Sequence, residues 1–197
     1  MDKFINKDIS SEKLDLLVND ENFVTQLSNQ YHNHLKRFAT EKDFITDKAP
    51  LNFRWIGLIK ILFPTAKIIH CSRNPKDNCL SLYKNYFEAG LNFSYDQTEL
   101  GTYYKLYLDL MNFWKNYAPG LIYDAQYEKI INNSEEEIKE IIKFCELPWE
   151  DNCLSFYKNK TPIKTMSTAQ ARKPIYKSSI NSFDKFAPFL KELNKII

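Results

Sequence analysis

Glycine is scarce in this sequence. Four occur in 197 residues, at Gly57, Gly90, Gly101 and Gly120, and none lies within ten residues of another. A glycine-rich loop that cradles phosphates with successive backbone N–H groups cannot be assembled from them. Strong charge of one sign is also lacking. The formal net charge is +2, which gives no support for nucleic-acid binding, where a markedly basic domain is the usual footprint. The four cysteines, Cys71, Cys79, Cys145 and Cys153, form no CxxC pair and share no ligand pattern with His32, His34 and His70. No metal is therefore expected, and reduced, buried thiols suit a cytoplasmic chain. No apolar run approaches the ~20 residues of a membrane span, and the first ten residues are polar and charged, unlike a signal peptide.

Apolar residues are ample, at 44%, and aromatics are high, at 15%. Their periodicity divides the chain into helices and strands. Leu14, Leu17 and Val18 predict a short helix behind Ser10 or Ser11. Phe23, Leu27, Tyr31, Leu35 and Phe38 recur every fourth residue behind Asp20, a candidate N-cap. Phe44–Thr46 is a strand candidate. A helix is predicted from Leu51 to Phe63, stopped by Pro64. Lys67–Cys71 reads as a strand, and Pro75 to Glu88 as a helix with Asn74 as N-cap and Pro75 at the first helical position. On that helix Asp77, Ser81, Lys84 and Glu88 mark the polar face, and Cys79, Tyr83, Tyr86 and Phe87 the buried one. Asp96 and Glu99 open a long aromatic-striped helix through Trp114. Leu121–Tyr127 is a strand, Ser134 and Glu137 form a capping box for the next helix, and a short helix is predicted over 150–158. Ser182 caps a last helix carrying Phe183, Phe186, Phe189, Leu190 and Leu193. Strands alternating with helices indicate an α/β domain with a mainly parallel sheet.

In open α/β sheets, ligands bind beyond the carboxyl ends of the strands. Arg73 sits there, between a strand and the start of a helix whose dipole disfavours a bare cation. With Lys76 it suggests a phosphate or sulfate; the alternatives are that Arg73 reaches solvent or pairs with Asp77. Ser81 either shares that anion or is an ordinary exposed serine. Lys48 follows the first strand candidate and precedes Pro50. It is placed to neutralise charge on a leaving oxygen, or is merely solvated. Residues 164–179 form an irregular stretch with Lys164, Arg172, Lys173 and Lys177 and no acidic residue, suited to closing over an anionic ligand.

Five ordered segments carry a resemblance. They are TDKAPLNFRWIGLIKILFPTAKIIHCSRNPKDNCLSLYKNYF, YYKLYLDLMNFW, the YE of DAQYEKI, LPWEDNCLSFY and TMSTAQARKPIYKSS. Together, from about residue 20 to 194, they resemble the P-loop sulfotransferases. The closest branch is that of tyrosylprotein sulfotransferases and the bacterial domains joined to tetratricopeptide repeats. The resemblance implies a three-layer α/β fold with a P-loop-NTPase-like parallel sheet flanked by helices. It also implies transfer of a sulfuryl group from 3′-phosphoadenosine 5′-phosphosulfate to an acceptor hydroxyl or amine, with adenosine 3′,5′-bisphosphate as product and no metal. Carried over residue by residue, Arg73 and Ser81 match the pair that holds the donor's 3′-phosphate. Lys48 matches the lysine that stabilises the bridging oxygen. Ser167 and Lys173 match the late-loop contacts to the donor, Ser167 also in a catalytic role, and Tyr127 matches a tyrosine near the nucleotide.

The sequence departs from that family at its start, where a strand, a glycine-rich loop for the 5′-phosphosulfate and a following glutamate base are expected. Glu12, Glu21 and Glu41 do not stand in the base's motif. The expectation is thus one partial domain over 1–197, with a helical lead-in at 1–40, an α/β core and cofactor loop at 41–181 and a C-terminal helix at 182–197. It lacks the first strand and P-loop, is truncated at its N-terminus and is inactive alone. Its partners would be an acceptor (protein tyrosine, glycan or small molecule) and a missing N-terminal segment or upstream repeat domain. A cytoplasmic location is expected, the Golgi lumen being the eukaryotic alternative. The competing expectations are a non-catalytic module binding adenosine 3′,5′-bisphosphate or a partner, and a phosphate-ester binder of another α/β family.

Overall fold

A computed structural model describes residues 11–37, 43–87, 90–159 and 172–197. The chain divides into two compact units, Met1–Ile68 and Ile69–Ile197.

The first unit is helical. Helix α1 spans Ser11–Asn19 and α2 spans Glu21–Lys36. Asp20 caps α2 by accepting from the amides of Asn22 (2.9 Å) and Phe23 (3.0 Å), which meets two of the donors a helix start leaves unpaired. Phe23, Leu27 and Leu35 pack around buried Tyr31, with Leu17 and Leu62, so the stripe read from the sequence is a core face. Phe38 lies outside the described residues. The predicted strand at 44–46 is not one. Phe44 is 69% exposed, and among the described residues no strand lies beside it to form a ladder. The helix expected from Leu51 is a 3-10 turn, Pro50–Trp55, followed by α3, Ile56–Leu62. After Pro64 the chain is held by Lys60, whose ammonium donates to the carbonyls of Pro64 and Ala66.

The second unit is a mixed α/β body with a small parallel sheet, as the family resemblance implies. Strand β1 is Ile68–Ser72 and β2 is Ile122–Gln126, and these two pair directly. Between them run α4 (Pro75–Tyr83), a 3-10 turn (Asn92–Tyr95) and α5 (Gln97–Tyr117). Asp96 caps α5 through the amides of Thr98 (2.8 Å) and Glu99 (2.9 Å). After β2 come α6 (Tyr127–Asn132), α7 (Ser134–Phe144) and a 3-10 stretch, Asp151–Lys158, in place of the predicted α-helix. The core is Cys79 and Leu80 of α4, Leu100 and Tyr104 of α5, and Phe183, Leu190 and Leu193.

Several local expectations are corrected. Helix α4 ends at Tyr83, and Tyr86 is 73% exposed and not part of a buried face. Phe87 is instead tied by both backbone groups to the Tyr95 hydroxyl, at 2.7 and 2.6 Å. Ser134 does not cap α7; it lies inside the helix and donates to the Ile130 carbonyl at 2.7 Å. The last helix is broken into 3-10 turns at Phe183–Lys185 and Ala187–Phe189, then α8, Lys191–Ile196. Pro188 explains the break, since it lacks an N–H and disfavours helical geometry at Ala187. Of the four free thiols only Cys79 is fully buried, and burial pushes it up to about 12; Cys71 is exposed.

Candidate functional site

Strand β1 ends at Ser72 and α4 begins at Pro75, so Arg73 and Asn74 alone make the turn. The turn is short because Asn74 does the capping itself. Its Oδ1 accepts from the amides of Lys76 (3.0 Å) and Asp77 (3.2 Å), while its carbonyl accepts from Asn78 N (2.9 Å). Pro75 has no N–H to satisfy. The first-turn donors of α4 are therefore occupied, and an anion at this corner would be met by side chains. The backbone N–H of Asn74 donates to Glu128 Oε1 at 2.9 Å, which joins the corner to the start of α6.

Arg73 is half-buried and oriented from two sides. Its Nη2 donates to the Ser179 carbonyl at 2.5 Å, and its guanidinium lies 5.0 Å from the ring centre of Tyr127, where β2 passes into α6. That geometry allows a cation–π attraction. The Nε–H is buried with no hydrogen-bond partner. Neither solvent nor Asp77 is the destination of Arg73. Lys76 turns away to Asn194 Oδ1 at 2.7 Å, with its ammonium over the Phe183 ring.

Asp77, expected on the polar face of α4, is 1% exposed. It accepts from Asn181 N (2.7 Å), Phe183 N (2.9 Å) and Ser182 Oγ (3.1 Å). A carboxylate in the first turn complements the helix dipole, and that position was the one sequence signal available for it.

Behind the corner, His70 joins the two strands to α5. Its Nδ1 lies 2.8 Å from Asp124 Oδ1, and its Nε2 meets the Tyr107 hydroxyl. Lys115 reaches Asp124 Oδ2 at 2.7 Å. Burial lowers the His70 pKa, assisted by the Lys115 charge and opposed by Asp124. Burial thus favours the neutral ring, with Nδ1 beside the carboxylate and Nε2 in hydrogen-bond contact with the Tyr107 hydroxyl. Burial raises the Tyr107 pKa. For Asp124, burial alone would raise the pKa, but hydrogen bonds from Lys115 and Ser72 and the nearby positive charges outweigh it and lower the carboxyl.

A model of the sulfotransferase family matches residues 7–151 of this sequence. The chain belongs to the sulfotransferase family. Family membership makes it a transferase by class. An uncharacterized protein of Aquifex aeolicus is 36% identical over 181 residues, which is 90% of this chain and 24% of that protein. A "Putative protein-tyrosine sulfotransferase" of Caenorhabditis elegans is 31% identical over 111 residues, 56% of this chain and 42% of the relative. A protein of the same name in Caenorhabditis briggsae is 29% identical over 111 residues, 56% of this chain and 39% of the relative. The chain thus spans from a quarter to two fifths of the length of these relatives.

Within this sulfotransferase-family chain, the structure brings together two of the predicted site residues, Arg73 and Tyr127. Ser81 is half-buried two turns into α4, its carbonyl accepting from Asn85 Nδ2 at 2.6 Å. Lys173 is exposed. Among the described residues no hydrogen bond or ring contact joins either to Arg73. Lys48 is exposed in the first unit, next to Asp47, whose carboxylate accepts from the Tyr31 hydroxyl. Ser167 lies outside the described residues. Among those described, no three His, Cys, Asp or Glu side chains could hold a metal ion, and no helix is long and apolar enough to cross a membrane.

Proposed function

We propose that the β1–α4 corner binds the 3′-phosphate of 3′-phosphoadenosine 5′-phosphosulfate, in an enzyme that sulfurylates an acceptor hydroxyl or amine. The observation that carries this reading is Arg73. It is half-buried and oriented by Ser179 and Tyr127, yet its buried Nε–H has no partner. A guanidinium held this way is arranged for an anion that takes its free donors. The capped amides of α4 do not add to the site, so Arg73 and the Ser81 hydroxyl are the groups assigned to the phosphate. Tyr127 keeps the guanidinium in place. Lys48 is assigned to the leaving oxygen, and Ser167 and Lys173 to the donor near its phosphates. The donor supplies an activated sulfuryl group on a phosphosulfate linkage. The names of the nematode relatives make a protein tyrosine the first acceptor to try.

The four scattered glycines form no cradle for the 5′-phosphosulfate within these 197 residues. That observation favours a second reading for the chain in isolation, a module that binds adenosine 3′,5′-bisphosphate without turning over. Calorimetry with adenosine 3′,5′-bisphosphate tests the site. The wild type should bind and Arg73→Ala should lose at least about tenfold in affinity, as expected for a charged hydrogen-bonding partner. Equal binding by the two proteins, or none by either, defeats the phosphate assignment. A sulfuryl-transfer assay on the isolated chain should show little or no turnover, and brisk activity would refute the need for a glycine-rich loop.

A further inference from the structure

Arg73 has a long side chain, and something must choose its rotamer. The choice is made by the Ser179 carbonyl, 106 residues away in sequence. Ser179 belongs to an irregular stretch, so its own position needs an anchor. Two to four residues further on, Asn181, Ser182 and Phe183 all donate to Asp77. Asn181 has φ of +56°, a left-handed conformation that asparagine tolerates. The turn there aims the amides of residues 181 and 183 at one carboxylate, a backbone nest for an anion. Ser182 Oγ lies 3.1 Å from Asp77 Oδ1 and 3.3 Å from the Ser179 carbonyl. It has one proton to share between them and so links the anchor to the acceptor of Arg73. Asp77 lies in the first turn of α4, four residues after Arg73, on a helix that the core holds through Cys79 and Leu80.

None of the ion pairs among the described residues involves Asp77. An isolated buried carboxylate is costly, and here three donors and the helix start offset that cost. Such a residue holds together what it touches. We infer that Asp77 is a positioning residue for phosphate binding: it clasps the segment Ser179–Phe183 to α4 and thereby aims the Arg73 guanidinium. This inference rests on the phosphate reading given above.

A double-mutant cycle measures it. Calorimetry with adenosine 3′,5′-bisphosphate is run on the wild-type chain, Arg73→Ala, Asp77→Asn and the double variant, each checked for folding by circular dichroism. Asp77→Asn should weaken binding about tenfold, and should weaken it no further where Arg73 is already alanine, because interacting residues couple while independent ones add. A purely structural Asp77 would lower the melting temperature and leave affinity unchanged, or cost the same affinity in both backgrounds. Either result overturns the inference while leaving Arg73 as the phosphate ligand. Failure of the wild type to bind, or equal binding by Arg73→Ala, overturns the phosphate reading and this inference with it. Where Asp77→Asn does not fold, Ser182→Ala carries the same cycle. It should weaken binding a few-fold only in the presence of Arg73, and wild-type affinity in that variant overturns the clasp.

Discussion

Two turns of this chain share one local grammar. Lys48-Ala49-Pro50 and Arg73-Asn74-Pro75 each place a cation two residues before a proline that opens a helical segment. Their surroundings differ. Ala49 offers no side-chain acceptor, and Pro50 opens a 3-10 turn with no side-chain cap. The residues ahead of Lys48 form no strand, and Lys48 is exposed. Asn74 caps α4 with two side-chain bonds, β1 delivers Arg73 to the turn, and two further segments reach it, α6 through Tyr127 and Glu128 and the stretch before Phe183 through Ser179. A cation two residues before a proline is thus not braced by its spacing alone. It is braced where a cap shortens the turn and distant groups limit the side chain.

The largest test of this contrast is Asp77→Ala. Removing the carboxylate leaves the amides of residues 181 and 183 without partners in a buried place. The loss should be about 3 kcal/mol, read by urea unfolding. A loss under about 1 kcal/mol would mean that water replaces the carboxylate and that the corner is no better braced than the Lys48 turn. Asn74→Ala converts the second turn toward the first and should cost about 1 kcal/mol, the ordinary value of an N-cap. An unchanged unfolding midpoint would remove the cap from the account.

A smaller effect comes from the tie beneath the corner. Because burial lowers the His70 pKa, the unfolded chain takes up a proton at a higher pH than the folded one. Stability from this group is complete above the ordinary histidine value of about 6.5 and declines as pH falls through it. The melting temperature should therefore drop between neutral pH and mildly acidic pH, and His70→Gln should shrink that drop. Equal acid sensitivity in both proteins would rule His70 out as its source. The smallest effect is expected at the other turn, where Lys48→Ala should change unfolding free energy by no more than about 0.5 kcal/mol. A larger change would show that Lys48 is braced after all and dissolve the comparison.

Much of the second unit was legible because its signals are local. Asn74-Pro75 and Asp96 announce α4 and α5 within three residues, and both strands were placed within one residue at each end. The C-terminal region was harder. Ser182 looks like a cap, but its hydroxyl is drawn to Asp77 and Pro188 divides the helix behind it. Asp77 itself reads as surface because its polar face is judged from α4 alone. The face is covered by a segment over a hundred residues away, which no helical periodicity reports.

The sequence by itself determined the starts of α2, α4 and α5, the two strands that pair, the family and the identity of Arg73 as the residue at the strand's end. Each of these depends on neighbours a few residues apart or on ordered motifs. Only the tertiary structure decided that α4 keeps its amides to itself, that Asp77 is interior, and that Ser179 and Tyr127 choose the direction of Arg73. Those outcomes depend on groups brought together by burial of Cys79, Leu80, Phe183 and Leu193 in one core, and a buried polar group takes whatever partners that packing puts within reach.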